Sequence, residues 1–112
     1  MIKKPFLSVI IPAYNESERI PLTLIDIDKH LSQAKYPYEI IVVDDGSKDD
    51  TTAVVERFSK MIPGLRATGY GENRGKGGAV RFGMLEATGR YRLLMDADNS
   101  TSVDHFDKMI KY

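Results

Sequence analysis

Short runs of branched apolar residues alternate along this chain with segments whose apolar residues recur every three or four positions. That alternation constrains the fold more than any other feature. Phe6-Leu-Ser-Val-Ile-Ile11 is apolar and rich in β-branched residues, and Pro12 is expected to stop it. Such runs suit strands buried on both faces. Ile20, Leu24, Ile27 and Leu31 then mark one helix face. Pro21 fits only near the start of that helix, where backbone N–H groups lack helical partners. Tyr38-Glu-Ile-Ile-Val-Val43 is a second buried strand. Asp49 or Asp50 is placed to cap the next helix, with Val54, Val55, Phe58 and Met61 or Ile62 facing inward. Pro63-Gly64 ends it. Leu65–Tyr70 is a weaker strand, expected near an edge. Lys76–Thr88 reads as a helix with Ala79, Val80, Gly83, Met84 and Ala87 inward and Gly89 as its terminator. Tyr91-Arg-Leu-Leu-Met95 is a fourth strand, and Thr101 or Ser102 can cap a last helix carrying Phe106 and Ile110.

The pattern is βαβαβαβα, an α/β class. It implies a Rossmann-like parallel sheet with right-handed crossovers and helices on both faces. A strand order of 3-2-1-4 is assumed. Strands 1 and 4 are then neighbours where the winding reverses, and ligands bind such sheets there, outside the carboxyl ends of the strands. The last helix pattern is cut at Tyr112, so the chain reads as the first half of a larger domain.

Composition bounds the function. One domain's worth of chain, 112 residues, carries 16 Lys+Arg against 16 Asp+Glu. That balance excludes a strongly basic nucleic-acid binder and an acidic tail. With 42% hydrophobic and 29% charged residues the chain is expected to be folded rather than disordered. There is no cysteine, so disulfides, thiolate nucleophiles and cysteine zinc sites are excluded. No run approaches the roughly 18–20 apolar residues of a membrane span. The N-terminal apolar run is too short for a signal peptide, and Tyr14-Asn15-Glu16 stands where a small-residue cleavage site belongs. The expected compartment is the cytoplasm.

Polar clusters follow strands 1, 2 and 4: Pro12-Ala-Tyr-Asn-Glu16, Asp44-Asp45-Gly46-Ser47 and Asp96-Ala-Asp-Asn-Ser100. In the assumed fold they gather at one edge with Asn73-Arg-Gly-Lys-Gly-Gly78, which opens the third helix. Glu16, Asp44, Asp45, Asp96 and Asp98 then crowd together. Carboxylates repel by about 4 kcal/mol per pair at ~4 Å with an effective dielectric near ~20. A bound cation, or ligand hydroxyls, would offset this. The Asp96-Ala97-Asp98 tripeptide offers hard oxygens that suit Mg2+ or Mn2+, ions that favour phosphate-bearing partners. Arg74 and Lys76 lie in a glycine-rich helix start, where free N–H groups and the helix dipole favour an anion such as a diphosphate. The competing reading of each is plain: Asp after a strand often caps or turns, and Arg74 and Lys76 can be solvated. For Asp49 and Asp50 capping is the reading. This is not a Walker A loop, since Gly71 and Gly75 are separated by three residues and Gly77 follows Lys76. Nor is it a dinucleotide fingerprint, which needs its glycines after the first strand. His30 and His105 are lone residues assigned to surface or packing roles.

Four segments together, Val9-Ile-Ile-Pro-Ala-Tyr-Asn-Glu16, Ile41-Val-Val-Asp-Asp-Gly-Ser-Lys48, Asn73-Arg-Gly-Lys-Gly-Gly-Ala79 and Met95-Asp-Ala-Asp98, resemble the inverting family 2 glycosyltransferases of the GT-A fold. The resemblance runs over residues 7–110. Within that family, Asp44–Asp50 and Asn73–Ala79 are most similar to the dolichyl-phosphate β-glucosyltransferases and related polyprenyl-phosphate sugar transferases. The resemblance implies that residues 1–112 are the N-terminal, nucleotide-sugar-binding part of the catalytic domain. It places Pro12, Tyr14 and Glu16 in the nucleoside pocket, Val43 and Asp45 toward the base with Asp44 supporting, and Asp96 near the ribose. It places Asp98 on the metal, with Ser100 where some relatives have a further ligand, often a Gln, and Lys76 near the diphosphate. Asp96 and Asp98 are the implied catalytic pair, with Mg2+ or Mn2+ as cofactor. The implied donor is UDP-glucose or GDP-mannose and the implied acceptor a polyprenyl or dolichyl phosphate, at the cytoplasmic face of a membrane. An acceptor phosphate is already an anion and needs little or no general base. The base, the acceptor site and any anchoring helices of such enzymes would lie past residue 112, so the chain alone is expected to turn over poorly or not at all.

Three rivals stand beside this reading. One is a soluble family 2 transferase acting on a glycan hydroxyl, which would need an Asp or Glu base. Another is a non-catalytic nucleotide-sugar-binding fragment. The third is a phosphoacceptor receiver domain, but its acids follow strands 1 and 3, whereas here they follow strands 2 and 4.

Overall fold

The computed structural model describes residues 5–97. Seven elements alternate: β1 (Leu7–Ala13), α1 (Ile20–Leu31), β2 (Tyr38–Asp45), α2 (Thr51–Ser59), β3 (Leu65–Tyr70), α3 (Gly75–Glu86) and β4 (Tyr91–Leu94). The expected last helix, with Thr101, Ser102, His105, Phe106 and Ile110, lies outside the described residues.

The four strands form one parallel sheet in the order β3-β2-β1-β4, the order assumed from sequence. Pleating sends alternate residues to opposite faces. Leu7, Val9, Ile11 and Ala13 of β1, with Ile40 and Val42 of β2, pack against Ile20, Leu24, Ile27 and Leu31 of α1 and Val54 and Val55 of α2. The four α1 residues are fully buried, each contributing about 1.5–3 kcal/mol of transfer free energy. Ile10, Ile41 and Val43 point the other way, to Ala79 and Ala87, with Phe82 and Met84 packed alongside. Helices α1 and α2 thus cover one face and α3 the other.

Pro12 does not stop β1. Residues Pro12 and Ala13 still pair with Val43 and Asp44 of β2. The Ile10 carbonyl accepts the Met95 N–H, so the backbone groups of Ile10 face the β4 side. Two residues on, Pro12 directs its missing N–H to that same side, past Leu94 where β4 ends. No ladder bond is lost.

Other boundaries move for local reasons. Asp50 takes the N-cap position of α2 without a side-chain bond, and Asp49, one residue earlier, accepts the Thr51 N–H at 3.0 Å. Of Met61 and Ile62, Ile62 goes inward while Met61 is exposed. On α3, Val80 is half-buried but outside the core cluster that Phe82 joins. Gly89 is not the helix terminator, since α3 ends at Glu86 and Ala87 is already extended. Its N–H donates to Ser8 Oγ at 2.8 Å, and a Cβ there would come within 2.4 Å of that oxygen. The residue needs to be small because the loop into β4 lies against β1.

Candidate functional site

The carboxyl ends of β1, β2 and β4 open onto a cleft of about 230 Å3 lined by Pro12, Ala13, Tyr14, Glu16, Asp45, Lys76, Ala79, Asp96 and Ala97. It lies where β1 and β4 are adjacent and the helices change faces, the switch point at which open α/β sheets bind ligands. Ligand pockets usually run to about 300–1,000 Å3, so this one encloses part of a ligand and leaves the rest exposed.

Asp45 is the most constrained member. It is 4% exposed. Its Oδ1 accepts the Tyr70 hydroxyl at 2.7 Å and the Arg74 N–H at 2.8 Å, and its carbonyl accepts from Asn73 Nδ2 at 3.2 Å. Burial, the hydrogen bond to Asp45 and the Asp45 charge push the Tyr70 hydroxyl up to about 12, so it stays a donor. The loop before α3 reaches Asp45 because Gly46 lacks a side chain. Gly46 has φ +72°, and a Cβ there would fall 2.5 Å from Asn73 N.

Asp44 diverges from its neighbour. Its Oδ1 accepts the Ser47 N–H at 2.8 Å and its Oδ2 accepts the Thr52 hydroxyl. It shapes the turn into α2 and borders a separate depression with Thr52 and Thr68. Val43 is fully buried against Gly83 of α3 and does not line the cleft. The pleat sends Asp44, read as a supporting residue, toward α2 and puts Val43 under α3, so neither side chain is part of the cleft wall.

The loop after β1 is locked to the loop after β2. Asn15, at φ +52°, donates its N–H to Ser47 Oγ at 2.9 Å and accepts the Lys48 N–H on Oδ1 at 2.8 Å. Glu16 donates its N–H to Thr51 Oγ1 at 3.0 Å and binds Arg19 through its carboxylate. Tyr14 is 39% exposed at the cleft wall. On the opposite side Lys76, in the first turn of α3, pairs with Asp96 at 2.9 Å. Thr23 of α1 donates to the Ala97 carbonyl at 2.6 Å and fixes the segment leaving β4.

Of the five carboxylates expected to crowd together, four are described, and Asp44 turns away from the cleft. Glu16, Asp45 and Asp96 share the cleft, yet each has its own cation or donor. Among the described residues no three acidic or histidine side chains gather closely enough to hold a metal ion. Asp98 and Ser100 lie outside the described residues. The donor chemistry that remains, a hard carboxylate at Asp96, suits Mg2+ or Mn2+, which take one or two carboxylates and complete their shells with water and phosphate. His30 sits 3.9 Å from Asp26 on the outside of α1, remote from the cleft residues in sequence and element. Sequence reasoning did not single out Asn15, Tyr70 or Asn73. A polar residue between Tyr14 and Glu16 at a tight turn was a signal for Asn15. Nothing local marked Tyr70 as a partner of Asp45.

The chain matches the model of glycosyl transferase family 2 over residues 8–112. It is 43% identical over 111 residues to a dolichyl-phosphate β-glucosyltransferase of Dictyostelium discoideum, covering 93% of this chain and 34% of the relative. It is 46% identical over 110 residues to the enzyme of the same name from Drosophila melanogaster, covering 92% and 34%. The chain thus spans about a third of the length of these relatives. Among solved structures, the mannosyltransferase PcManGT of Pyrobaculum calidifontis, in complex with GDP-Man and Mn2+, is 34% identical with a TM-score of 0.73, covering 86% of this chain and 28% of that one. S. aureus TarS residues 1–349 in complex with UDP-GlcNAc is 27% identical with a TM-score of 0.77, covering 94% and 30%. No described helix is long and apolar enough to cross a membrane. With a GT-A-like sheet, its cleft at the switch point and the family match over nearly the whole length, the chain belongs to glycosyl transferase family 2.

Proposed function

We propose that this chain is the donor-binding part of an inverting glycosyltransferase that moves a hexose from a nucleotide diphosphate to a dolichyl or other polyprenyl phosphate. The observation that carries the reading is the convergence of Asp45, Asp96 and Lys76 on one cleft at the switch point. Asp45 is a buried acceptor for the base. Asp96 is an acceptor for ribose hydroxyls. Lys76 and the exposed amides at the start of α3 form an electropositive end for the diphosphate. The names of the similar glucosyltransferases favour dolichyl phosphate as acceptor. The donor is UDP-glucose or GDP-mannose; the similar solved structures hold one uridine and one guanosine sugar nucleotide. The working compartment of this reading is the cytoplasm, at the face of a membrane.

In the reaction the bond from the anomeric carbon to the diphosphate oxygen breaks, and its electron pair leaves with the diphosphate. A bond forms on the opposite face of the sugar to an oxygen of the acceptor phosphate, which gives inversion. The acceptor is already ionised, so no proton has to be removed. A divalent ion held by Asp98 and Ser100 would supply Lewis-acid neutralisation of the leaving group. Lys76 adds a fixed positive charge at the same end, the kind of preorganised group whose removal elsewhere costs about 2.7–4 kcal/mol.

The test is a thermal melt with UDP, GDP, UDP-glucose and GDP-mannose, each with and without Mn2+. A ligand at about 100 times its Kd stabilises by about 2.7 kcal/mol, a shift of several degrees for a domain of this size. A shift that needs one nucleotide and the metal together is expected. A cooperative melt that no nucleotide moves would count against the donor site.

A further inference from the structure

We infer that Tyr70 is a positioning residue for the nucleotide site, its hydroxyl fixing the Asp45 carboxylate so that Oδ2 faces the cleft as acceptor for an N–H of the nucleobase. The inference rests on the donor-binding reading above. Tyr70 ends β3, at the sheet edge farthest from the β1–β4 switch point, and it does not line the cleft. It acts through Asp45. Its hydroxyl and the Arg74 N–H both bond to Oδ1, at 2.7 Å and 2.8 Å. Oδ2 has no donor among the described residues. No buried side-chain oxygen or nitrogen there lacks a partner, so Oδ2 keeps an accessible surface, and Asp45 is a wall of the cleft. The tyrosine is itself held on two sides. The Arg74 guanidinium lies 4.2 Å over its ring and the Phe82 ring meets it edge-on at 5.2 Å.

A carboxylate with one oxygen saturated and the other open recognises a donor and rejects an acceptor. Uracil and guanine each carry a ring N–H next to carbonyls. Holding the carboxylate in one rotamer turns a general anion into a directional reader of that proton. Without the Tyr70 hydroxyl, only the Arg74 N–H restrains it, and the carboxylate can turn.

Isothermal titration of the 112-residue chain tests this, with Mn2+ present. The probes are UDP, GDP and the same diphosphates methylated at the ring nitrogen that carries the proton. For the diphosphate that binds, methylation is expected to weaken wild type by roughly tenfold. Tyr70→Phe keeps the ring contacts and is expected to retain the fold. Its loss on methylation falls to within about twofold, while Lys76→Ala weakens both probes and keeps the tenfold ratio. A Tyr70→Phe protein with the wild-type ratio overturns the inference alone, as does a wild type indifferent to methylation. Wild type that binds neither UDP nor GDP overturns the donor reading, and this inference with it. Should Tyr70→Phe fail to fold, Arg74→Met removes the cation above the ring and keeps the backbone N–H to Asp45. It is expected to lower the ratio, and an unchanged ratio overturns the inference.

Discussion

Lys76 Nζ sits 2.9 Å from Asp96 Oδ1, joining the first turn of α3 to the end of β4 across the cleft. The side chains are 64% and 38% exposed, so the pair contributes at most about 1 kcal/mol to the fold. Its consequence is local. The lysine is aimed at the cleft while Asp96 neutralises it, and an anionic ligand entering beside α3 competes with Asp96 for that cation.

Lys76→Ala therefore separates binding from stability. The melting temperature is expected to stay within about 2 °C of wild type. Affinity for UDP or GDP falls by roughly tenfold, while uridine or guanosine binds as before. Titration calorimetry reads both. Equal losses for diphosphate and nucleoside would return Lys76 to a solvated role.

Asp98→Ala tests the metal. The sequence places it two residues after Asp96, on the Asp-x-Asp tripeptide. The variant is expected to fold with the wild-type circular dichroism spectrum and to bind nucleotide without any enhancement by Mn2+. Mn2+ enhancement as large as in wild type would remove Asp98 from the metal site.

At the amino end of the sheet, Glu39 sets an acid limit on stability. Burial pushes its carboxyl up, but hydrogen bonds from Ser8 at 2.5 Å and from the Thr88 amide and hydroxyl, with the Arg66 charge, more than offset that. The net shift is downward. A depressed folded value stabilises above the unfolded value of about 4.3 and loses that contribution as pH falls through the folded one. Glu39→Gln is expected to be less stable than wild type by about 1–3 kcal/mol near neutral pH. The gap should close as pH falls below the unfolded value and through the lower folded one, where the wild-type carboxyl protonates. Asp49 is also shifted down, but it is present in both proteins and drops out of the difference. Urea unfolding across this range measures the gap, and a gap independent of pH would show that Glu39 acts by packing alone.

Gly83 and Gly77 on α3 make a matched pair. A Cβ on Gly83 would meet Ile10 Cγ2 at 2.5 Å and Val43 Cγ2 at 2.9 Å, both in fully buried residues. A Cβ on Gly77 would meet nothing within 4 Å. Gly83→Ala is expected to destabilise by about 1–3 kcal/mol through overpacking, despite the gain in helix propensity. Gly77→Ala is expected to be neutral or to stabilise by up to about 1 kcal/mol. Denaturant midpoints decide, and a stabilised Gly83→Ala would mean that the helix can lift off the sheet freely.

Most of the scaffold was legible because it rests on local periodicity. Ile20, Leu24, Ile27 and Leu31 repeat at helical spacing and are all buried, and the branched runs of β1 and β2 are buried on both faces. The short α3 face was legible only in part. Its small residues Ala79, Gly83 and Ala87 are inward as read, but Phe82 rather than Val80 completes the contact, since a glycine-rich helix carries little amphipathic signal. At the site, spacing alone pairs Asp44 with Asp45 without dividing their roles, a division that only the resemblance implies. The division follows from the pleat, which turns Asp45 toward Tyr70 and Arg74, partners 25 and 29 residues away. Gly89 misled because a glycine after a helix pattern serves equally for a terminator and for close approach of two backbones.

Asn15 joins the two loops that flank the cleft, and its conformation and side chain can be tested separately. Its φ of +52° disfavours ordinary side chains by about 1–2 kcal/mol. Its Oδ1 accepts the Lys48 N–H at 2.8 Å, and its own N–H reaches Ser47 Oγ at 2.9 Å. Asn15→Gly removes the side-chain bond and keeps the backbone at ease. Asn15→Ala removes the bond and adds the strain. Asn15→Gly is expected to cost about 0.5–1.5 kcal/mol, the worth of one hydrogen bond. Asn15→Ala is expected to cost about 1 kcal/mol more than that. Both should loosen nucleotide binding, because the Pro12–Glu16 wall then moves independently of the Asp45 turn. Urea unfolding ranks the variants, and Asn15→Ala more stable than Asn15→Gly would show that the left-handed turn relaxes without strain and that Asn15 serves only as a side-chain bridge.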